Sequence, residues 1–419
     1  MRKKSKVIGG CILIWVGLIL GSSYGFCAVK ELTIWGWDFR AVKDLAPQIE
    51  QFEAEHPDVK IKAVNMSSDD VHDKFLIATV SGTGAPDITF HSSRKSYKWF
   101  EMGEDVIYSL NDVIPNYEDI FLRVVLPEFT YKGKIWAAPY DTGPSVVFYR
   151  KDIFDEVGVK FPSNWQDFIE VGKKITTKER YATVFWQGDQ IVSFIQSRGG
   201  AFSNEKGDPL FNTPITVEIC QYIVDAVKKH KIAEYASIWD SAAWEKIKEG
   251  RWAVILAWYW YQSFGLKDMA YKPELEGKWR ISRCLPWTKD DPPTGANFID
   301  SGIWLVSRQT RYPEIAKQFA ALICSKEAQV NQAQRRGIFP MNRLALEELA
   351  KWKDPFFGEQ HAYKVGLENL MDAPDVTLGP NRDLFNKVLT VAMDRMIYEG
   401  VPVEKAVADA VKQAKIELR

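Results

Sequence analysis

Glu31-Leu32-Thr33-Ile34-Trp35-Gly36-Trp37-Asp38 is the stretch from which the rest of the chain can be read. Leu32, Ile34 and Gly36 alternate with Glu31, Thr33 and Trp35, the period of two of a strand, and Gly36-Trp37-Asp38 turns the chain at its end. Leu45, Ile49 and Phe52 then recur at helical spacing until His56-Pro57, where proline removes a backbone donor and stops the helix. Val59, Ile61 and Ala63 alternate with Lys60 and Lys62 as a second strand. Val71, Phe75 and Ala78 mark a second helix, and Ser81-Gly82-Thr83-Gly84-Ala85-Pro86 leads into the short strand Asp87-Ile88-Thr89-Phe90. Strand and helix in alternation predict an α/β domain with helices on the faces of a parallel sheet.

Downstream the same grammar repeats. Ser145 to Tyr149 and Ala253 to Ala257 read as strands, and Ile303 to Ser307 as another. Trp165, Phe168, Val171 and Ile175 line one helix, capped by Ser163 or Asn164, and Ile219, Ile223 and Ala226 line a second. From Pro313 onward the chain is almost wholly helical. No repeat or low-complexity tract interrupts it.

With 419 residues the chain has room for two or three domains at roughly 100 to 200 residues each. Its 46% hydrophobic and 26% charged residues exclude a disordered or fibrous protein. Arg2, Lys3 and Lys4 precede a stretch from Val7 to Ala28 without charge, most apolar between Ile12 and Leu20, which is the pattern of a secretory signal. Residues 1–28 are therefore read as a leader cut between Gly25 and Val29, and the body as an exported protein of periplasm or cell surface. A lipid anchor on Cys27 is the less favoured alternative, because Phe26 is bulky for such a site. Without the leader, 50 basic residues face 55 acidic ones, and a weakly acidic surface argues against nucleic acid or anionic membrane as partner. Cys220, Cys284 and Cys324 remain, too widely spaced for a redox or zinc pair; they are read as buried thiols with at most one bridge among them.

Neither a P-loop nor a zinc-protease motif occurs, no metal or cofactor is expected, and the five histidines show no ligand spacing, which suits ordinary surface positions. Gly82-Thr83-Gly84 lacks a third glycine, and the nucleophile-like Gly21-Ser22-Ser23-Tyr24-Gly25 lies in the leader. What is over-supplied is tryptophan, 16 residues, placed beside polar groups at strand ends: Trp37 with Asp38, Trp186 with Gln187 and Asp189, and Trp258 with Trp260 and Gln262. Ligands of open α/β sheets bind beyond the carboxyl ends of the strands. Indoles there can stack on the apolar face of a sugar ring while carboxylates and amides take its hydroxyls. Trp258, two residues before Trp260, is expected to be mainly core.

Leu32-Thr33-Ile34-Trp35-Gly36-Trp37, Phe52-Glu53-Ala54-Glu55-His56-Pro57-Asp58-Val59, Gly84-Ala85-Pro86-Asp87-Ile88, Gly133-Lys134-Ile135-Trp136-Ala137-Ala138-Pro139 and Phe148-Tyr149-Arg150-Lys151-Asp152-Ile153-Phe154 together resemble the extracellular solute-binding proteins of carbohydrate ABC importers. Gly250-Arg251-Trp252-Ala253-Val254, Ser301-Gly302-Ile303-Trp304-Leu305-Val306-Ser307 and Gly337-Ile338-Phe339-Pro340 continue the family order. The resemblance implies a two-lobe periplasmic-binding-protein fold of type II, its lobes joined by a hinge of crossing segments, with a ligand in the cleft and no catalysis. It places ligand contacts at Trp37, Asp38, His91, Ser92, Arg94, Asp141, Trp186, Trp260, Asp300 and Ser301, with Trp258 beside them. Arg150 stands where the family usually has Asn.

The lobes are expected to comprise residues 29–139 with 297–341, and 140–296 with 342–419, crossing near Pro139-Tyr140-Asp141, Thr294 to Asp300 and Pro340-Met341-Asn342. The implied partners are a carbohydrate and the permease subunits of an importer, with the receptor itself a monomer. A polyamine is the alternative ligand, since aromatic boxes with carboxylates suit cations. A secreted glycoside hydrolase using Asp38 and Asp141 is the rival from outside the family.

Overall fold

A computed structural model describes residues 29–37, 43–186, 188–204, 206–291, 297–374 and 381–418, and of residues 297–300 the backbone alone. The leader and Asp38 lie outside the described residues, and so does the side chain of Asp300. The strands are β1 (Lys30–Trp37), β2 (Val59–Met66), β3 (Ile88–Ser92), β4 (Thr130–Tyr131), β5 (Lys134–Ile135), β6 (Ala138–Arg150), β7 (Tyr181–Phe185), β8 (Ala233–Tyr235), β9 (Trp252–Trp258), β10 (Trp279–Arg283) and β11 (Asn297–Val306). β4 and β5 form a small hairpin, and the others join in the order β2-β1-β3-β11-β6-β9-β7-β8, with β10 also on β6.

The opening stretch folds as its alternation requires. Leu32 and Ile34 are fully buried, and β1 pairs in parallel with β2 and β3. A parallel neighbour needs a crossover, and the helices Ala46–Glu55 and Ser68–Ser81 supply it. Ser67 caps the second by accepting a hydrogen bond from the Asp70 amide. Asp87 is structural: one carboxylate oxygen accepts from the Thr33 amide at 2.7 Å and the other from the Thr310 hydroxyl at 2.5 Å, tying β1 to the segment after β11. Asn164 is the cap of the helix Trp165–Ile175, accepting from the Asp167 amide at 2.8 Å.

β6 is the element that makes two lobes of one sheet. The expected strand Ser145 to Tyr149 is only its second half. From Ala138 to Pro144 it pairs antiparallel with β11; from Ser145 to Tyr149 it pairs with β9, and Val146 to Arg150 pair with β10. The change of partner falls between Pro144 and Ser145, beyond Pro139-Tyr140-Asp141. β11 returns beside it, Asn297 and Phe298 opposite Pro144 and Gly143, with a register shift before Gly302. A third passage runs near Phe339, which bridges to Thr142, while Asn342 still pairs with Phe121. The following helix Arg343–Leu349 keeps contact with the first lobe through Lys326 and Glu348 at 2.8 Å. One apolar cluster belongs wholly to the second lobe, built around Trp165, Phe168, Ile219 and Phe385; another runs from β1 and β3 through the crossing to Trp258 and Tyr259.

Gly302 is where β11 lies closest to β3 and β6. A Cβ there would collide with the Asp141 carboxylate and lie 2.5 Å from the Phe90 ring. Arg150 sits at the far end of β6, its guanidinium paired with Asp152 and 5.7 Å from the Trp279 ring, which gives it a structural role in place of a ligand contact. Cys220, Cys284 and Cys324 are buried and unbridged, as read from their spacing.

His91 corrects two expectations, the surface position and the ligand contact. It is fully buried on β3, on the face opposite Phe90, with its ring against His72 (4.6 Å), Phe75 (5.0 Å) and Trp99 (6.5 Å). The helix Ser68–Ser81 and the helix Tyr97–Met102 cover that face, so His91 belongs to their core. Burial, reinforced by His72, Lys98 and Lys95, pushes its pKa well below the ordinary histidine value. Unfolding releases a group that binds a proton near pH 6.5, whereas the folded state keeps it neutral; stability therefore falls as the pH drops below that value. Between pH 7 and 5 the wild type should lose up to about 1.4 kcal/mol per pH unit from this group alone. Urea titrations across that range should show a shallower loss for His91→Phe. Parallel curves for the two proteins would mean that His91 is not held neutral.

Candidate functional site

β1 and β3 end toward the crossing from the first lobe, and β7 and β9, which run antiparallel to them, end toward it from the second. On the first lobe, Trp37 is half-buried against Phe90 (4.4 Å) and His72 (5.2 Å). Ser92 follows at the end of β3, nearly buried, its amide donating to His72 Nε2 at 3.3 Å. The amide of Ser301 donates to Ser93 Oγ and to Glu128 Oε2, each at 2.9 Å, and Ser93 donates to Glu128 at 2.8 Å. The Ser301 hydroxyl is buried and has no partner among the described residues. Asp141 lies on β6 with 4% exposure, its Oδ1 accepting from the Gly302 amide at 3.1 Å, so this carboxylate closes the base of the cleft.

The second lobe supplies an indole cluster. Trp239, Trp258 and Trp260 lie with ring centroids 5.1 to 5.6 Å apart and interplanar angles of 26° to 29°. Trp186 stands edge-on to two of them, 5.3 Å from Trp239 and 5.2 Å from Trp258. It is 3% exposed, and its Nε1–H donates to the Leu256 carbonyl at 3.1 Å. Trp186 thus braces the cluster from behind, Trp258 is mainly buried as its position two before Trp260 suggests, and Trp260 and Trp239 keep the more accessible rings. Gly143 makes room for this: a Cβ there would lie 3.3 Å from Trp260 Nε1 and 3.4 Å from the Trp258 Cβ.

Arg94 does something the sequence did not disclose. Its guanidinium reaches across to the second lobe, where Nη1 donates to Asp189 at 3.3 Å and Nε stands 2.6 Å from Asp383. Both acids lie in the first turn of their helices, Gly188–Ser197 and Arg382–Asp394, where the helix dipole favours negative charge. Arg94 is therefore an interlobe tie. Of the sequence-derived set the structure groups Trp186, Trp258 and Trp260 in one cluster, sets Asp141 on the amide that follows Ser301, packs Trp37 and Ser92 against His72, joins Arg94 to the second lobe, and leaves His91 in the core.

Sequence reasoning missed Trp239, Glu128 and Asp383. Trp239 was within reach, because it follows the short strand β8 and precedes Asp240 as Trp37 precedes Asp38. Glu128 and Asp383 carry no local signal; only the tertiary fold brings them to Ser301 and Arg94. Among the described residues no group of histidine, cysteine, aspartate or glutamate is placed to hold a metal ion, and no helix is long and apolar enough to cross a membrane.

Known proteins share both the sequence pattern and the architecture. The chain is 26% identical over 358 residues to the arabinooligosaccharide-binding protein of Halalkalibacterium halodurans, covering 82% of this chain and 77% of that one. It is 23% identical over 396 residues to the lactose-binding protein of Rhizobium radiobacter, covering 90% and 92%. Among solved structures it resembles the GacH receptor of Streptomyces glaucescens, known in complex with acarbose, at a TM-score of 0.77 and 16% identity over 92% of this chain and 97% of that one. It also resembles the ABC transporter-associated binding protein of B. animalis subsp. lactis in complex with β-1,6-galactobiose, at 0.72 and 22% over 93% and 97%. The model of the bacterial extracellular solute-binding proteins matches residues 48–357, across both lobes and all three passages between them, and the chain belongs to that family.

Proposed function

We propose that the chain is an exported receptor that captures a sugar or oligosaccharide between its lobes and delivers it to the permease of an ABC importer. The observation that carries this reading is the indole cluster of Trp239, Trp258 and Trp260 standing beside Gly143 of β6. Near-parallel indoles offer apolar faces to the C–H side of a pyranose or furanose ring, and hydroxyl, amide and carboxylate groups take its hydroxyls. The relatives named for arabinooligosaccharides and lactose support it.

The electrostatics favour a neutral ligand over a polyamine. Asp189 and Asp383 already face Arg94, and Asp141 is engaged by the Gly302 amide. A cation entering the cleft would have to compete for carboxylates that are in use. The hydrolase reading needs two carboxylates poised on one scissile bond; Asp141 is committed to backbone, and Asp38 lies outside the described residues. The receptor is read as a monomer without catalytic activity, with residues 1–28 as its leader. Its lobes are taken as 29–139 with 297–341, and 140–296 with 342–419, the partner exchange in β6 serving as one hinge. Binding energy from both walls then favours the closed arrangement.

A thermal-shift screen over mono- and oligosaccharides, polyamines and chromogenic glycosides tests the class, since ligands raise stability by mass action. A shift with saccharides alone is expected; a shift only with polyamines, or turnover of a glycoside, would overturn it. Trp260→Ala should stay folded and weaken saccharide binding by roughly 2 kcal/mol, whereas Trp186→Ala should mainly cost stability, about 3 kcal/mol or more for a buried indole. Calorimetry and urea melts on the two variants separate platform from brace; unchanged affinity in Trp260→Ala would refute the platform. Removing the tie by Arg94→Ala should enlarge the radius of gyration of the ligand-free protein in small-angle scattering, and saccharide should restore compaction. Identical scattering from variant and wild type would show that Arg94 does not hold the lobes together.

A further inference from the structure

Where Arg94 ties the lobes, a separate space opens that none of the clustered indoles lines. It is a cavity of about 350 Å³, walled by the helix Ser68–Ser81 and residues 94–99 on one side and by the start of the helix Arg382–Asp394 on the other. Among the described residues four cations line it, Arg94, Lys95, Lys98 and Arg382, against two carboxylates, Asp73 and Asp383. A surplus of two positive charges thus gathers in one hollow of a weakly acidic protein. We infer that this cavity is an oxyanion site, taking a phosphate group between the two lobes. It goes beyond the saccharide reading and does not depend on it.

The cations are held in ways that leave them responsive to an anion. Lys98 is exposed, makes no ion pair among the described residues, and rests its ammonium 4.6 Å from the centre of the Trp99 ring. Lys95 meets Asp69 at 3.1 Å, but that carboxylate is 84% exposed, and a pair so open to water contributes little. Arg382 is buried in the first turn of its helix, where the dipole disfavours a cation and favours an anion. Asn381 precedes it with a φ of +73° and does not cap the helix; its side-chain amide donates instead to the Gly207 carbonyl at 3.3 Å. An oxyanion in the cavity therefore meets a guanidinium and a helix start from one lobe and two ammonium groups from the other.

The remaining walls decide the class of ligand. His72 has both ring nitrogens in use, Nδ1 at 2.7 Å from the Ser68 carbonyl and Nε2 accepting from the Ser92 amide. Asp383 is engaged by Arg94 at 2.6 Å, which leaves exposed Asp73 as the carboxylate that opposes an anion. Cations are repelled by such a hollow, and a neutral sugar gains little from its net charge. Tetrahedral phosphate oxygens match separated N–H donors on several sides, and the volume, within the range of small-molecule sites, admits a phosphate ester as well as free phosphate. Because the donors come from both lobes, a bound phosphate favours the apposed arrangement over the open one. By linkage, any ligand that closes the lobes tightens phosphate binding to the same degree.

Isothermal titration of the full chain with inorganic phosphate and with glycerol 3-phosphate, against sodium chloride at matched ionic strength, tests the site. The proteins are wild type, Lys98→Ala and Lys160→Ala, the last removing an exposed lysine outside the cavity. Saturable binding of either phosphate, absent with chloride, is expected, and the tighter of the two tells free phosphate from an ester. Lys98→Ala should weaken it about tenfold, and Lys160→Ala should leave it unchanged. No binding above the chloride control, unaltered affinity in Lys98→Ala, or an equal loss in Lys160→Ala would overturn the site. The titrations contain no saccharide, so their failure leaves the receptor reading intact, just as failure of every saccharide to bind leaves this site intact.

Discussion

One strand, β6, belongs to both lobes, and the exchange of its partners between Pro144 and Ser145 is the constraint from which the rest of the molecule follows. A strand keeps its direction and its alternation of faces across such an exchange. Asp141, Gly143 and Ser145 therefore lie on one face, and whatever packs there is fixed relative to both lobes. Asp141 holds the Gly302 amide of the returning strand, Gly143 leaves room for Trp258 and Trp260, and Ser145 meets the hydroxyl of Ser193 on the helix Gly188–Ser197 at 2.9 Å. The base of the cleft is thus a short ladder of small or hydrogen-bonded residues, and the large aromatic groups stand beside it.

The two sides are built from different chemistry. The first lobe offers a tight polar network of Ser93, Glu128 and Ser301 with Trp37 above it; the second offers indoles stacked in near-parallel array and braced by Trp186. Such a division suits a ligand with one apolar and one polar side. Arg94 spans the gap and binds acids at the starts of two second-lobe helices, while the Asp141 carboxylate at the base is held by a backbone amide.

Much of this was legible in the chain. Period-two alternation in Leu32-Thr33-Ile34 located β1, and the eight family motifs in order gave two lobes. Trp37, Trp258 and Trp260 followed from the rule that strand ends carry ligands. The limits were physical. His91 looked like a loop residue because it follows Thr89-Phe90, yet β3 extends through Ser92 and turns the His91 ring into the core. The second half of β6 was visible as Ser145 to Tyr149; its first half was obscured by Pro139 and Pro144, which are tolerated because that half pairs with β11 alone among the strands, with a register shift beside Pro139 and the change of partner after Pro144. Arg94, Asp189 and Asp383 are far apart in sequence, and no local pattern announces that one cation will meet both anions.

The three unbridged cysteines carry a last consequence. A protein exported to an oxidising compartment is exposed to thiol exchange, which proceeds through the thiolate. Burial pushes the thiols of Cys220 and Cys324 up to about 12, so at neutral pH almost none of either is in the reactive form, and Cys284 is hidden with its sulfur against the Ser145 carbonyl. Chemical inertness here is a property of the packed state and disappears with it. Among the described residues no covalent bridge guides refolding, and three reactive sulfurs are exposed whenever the chain opens. Its redox safety in the compartment is therefore set by how seldom it unfolds.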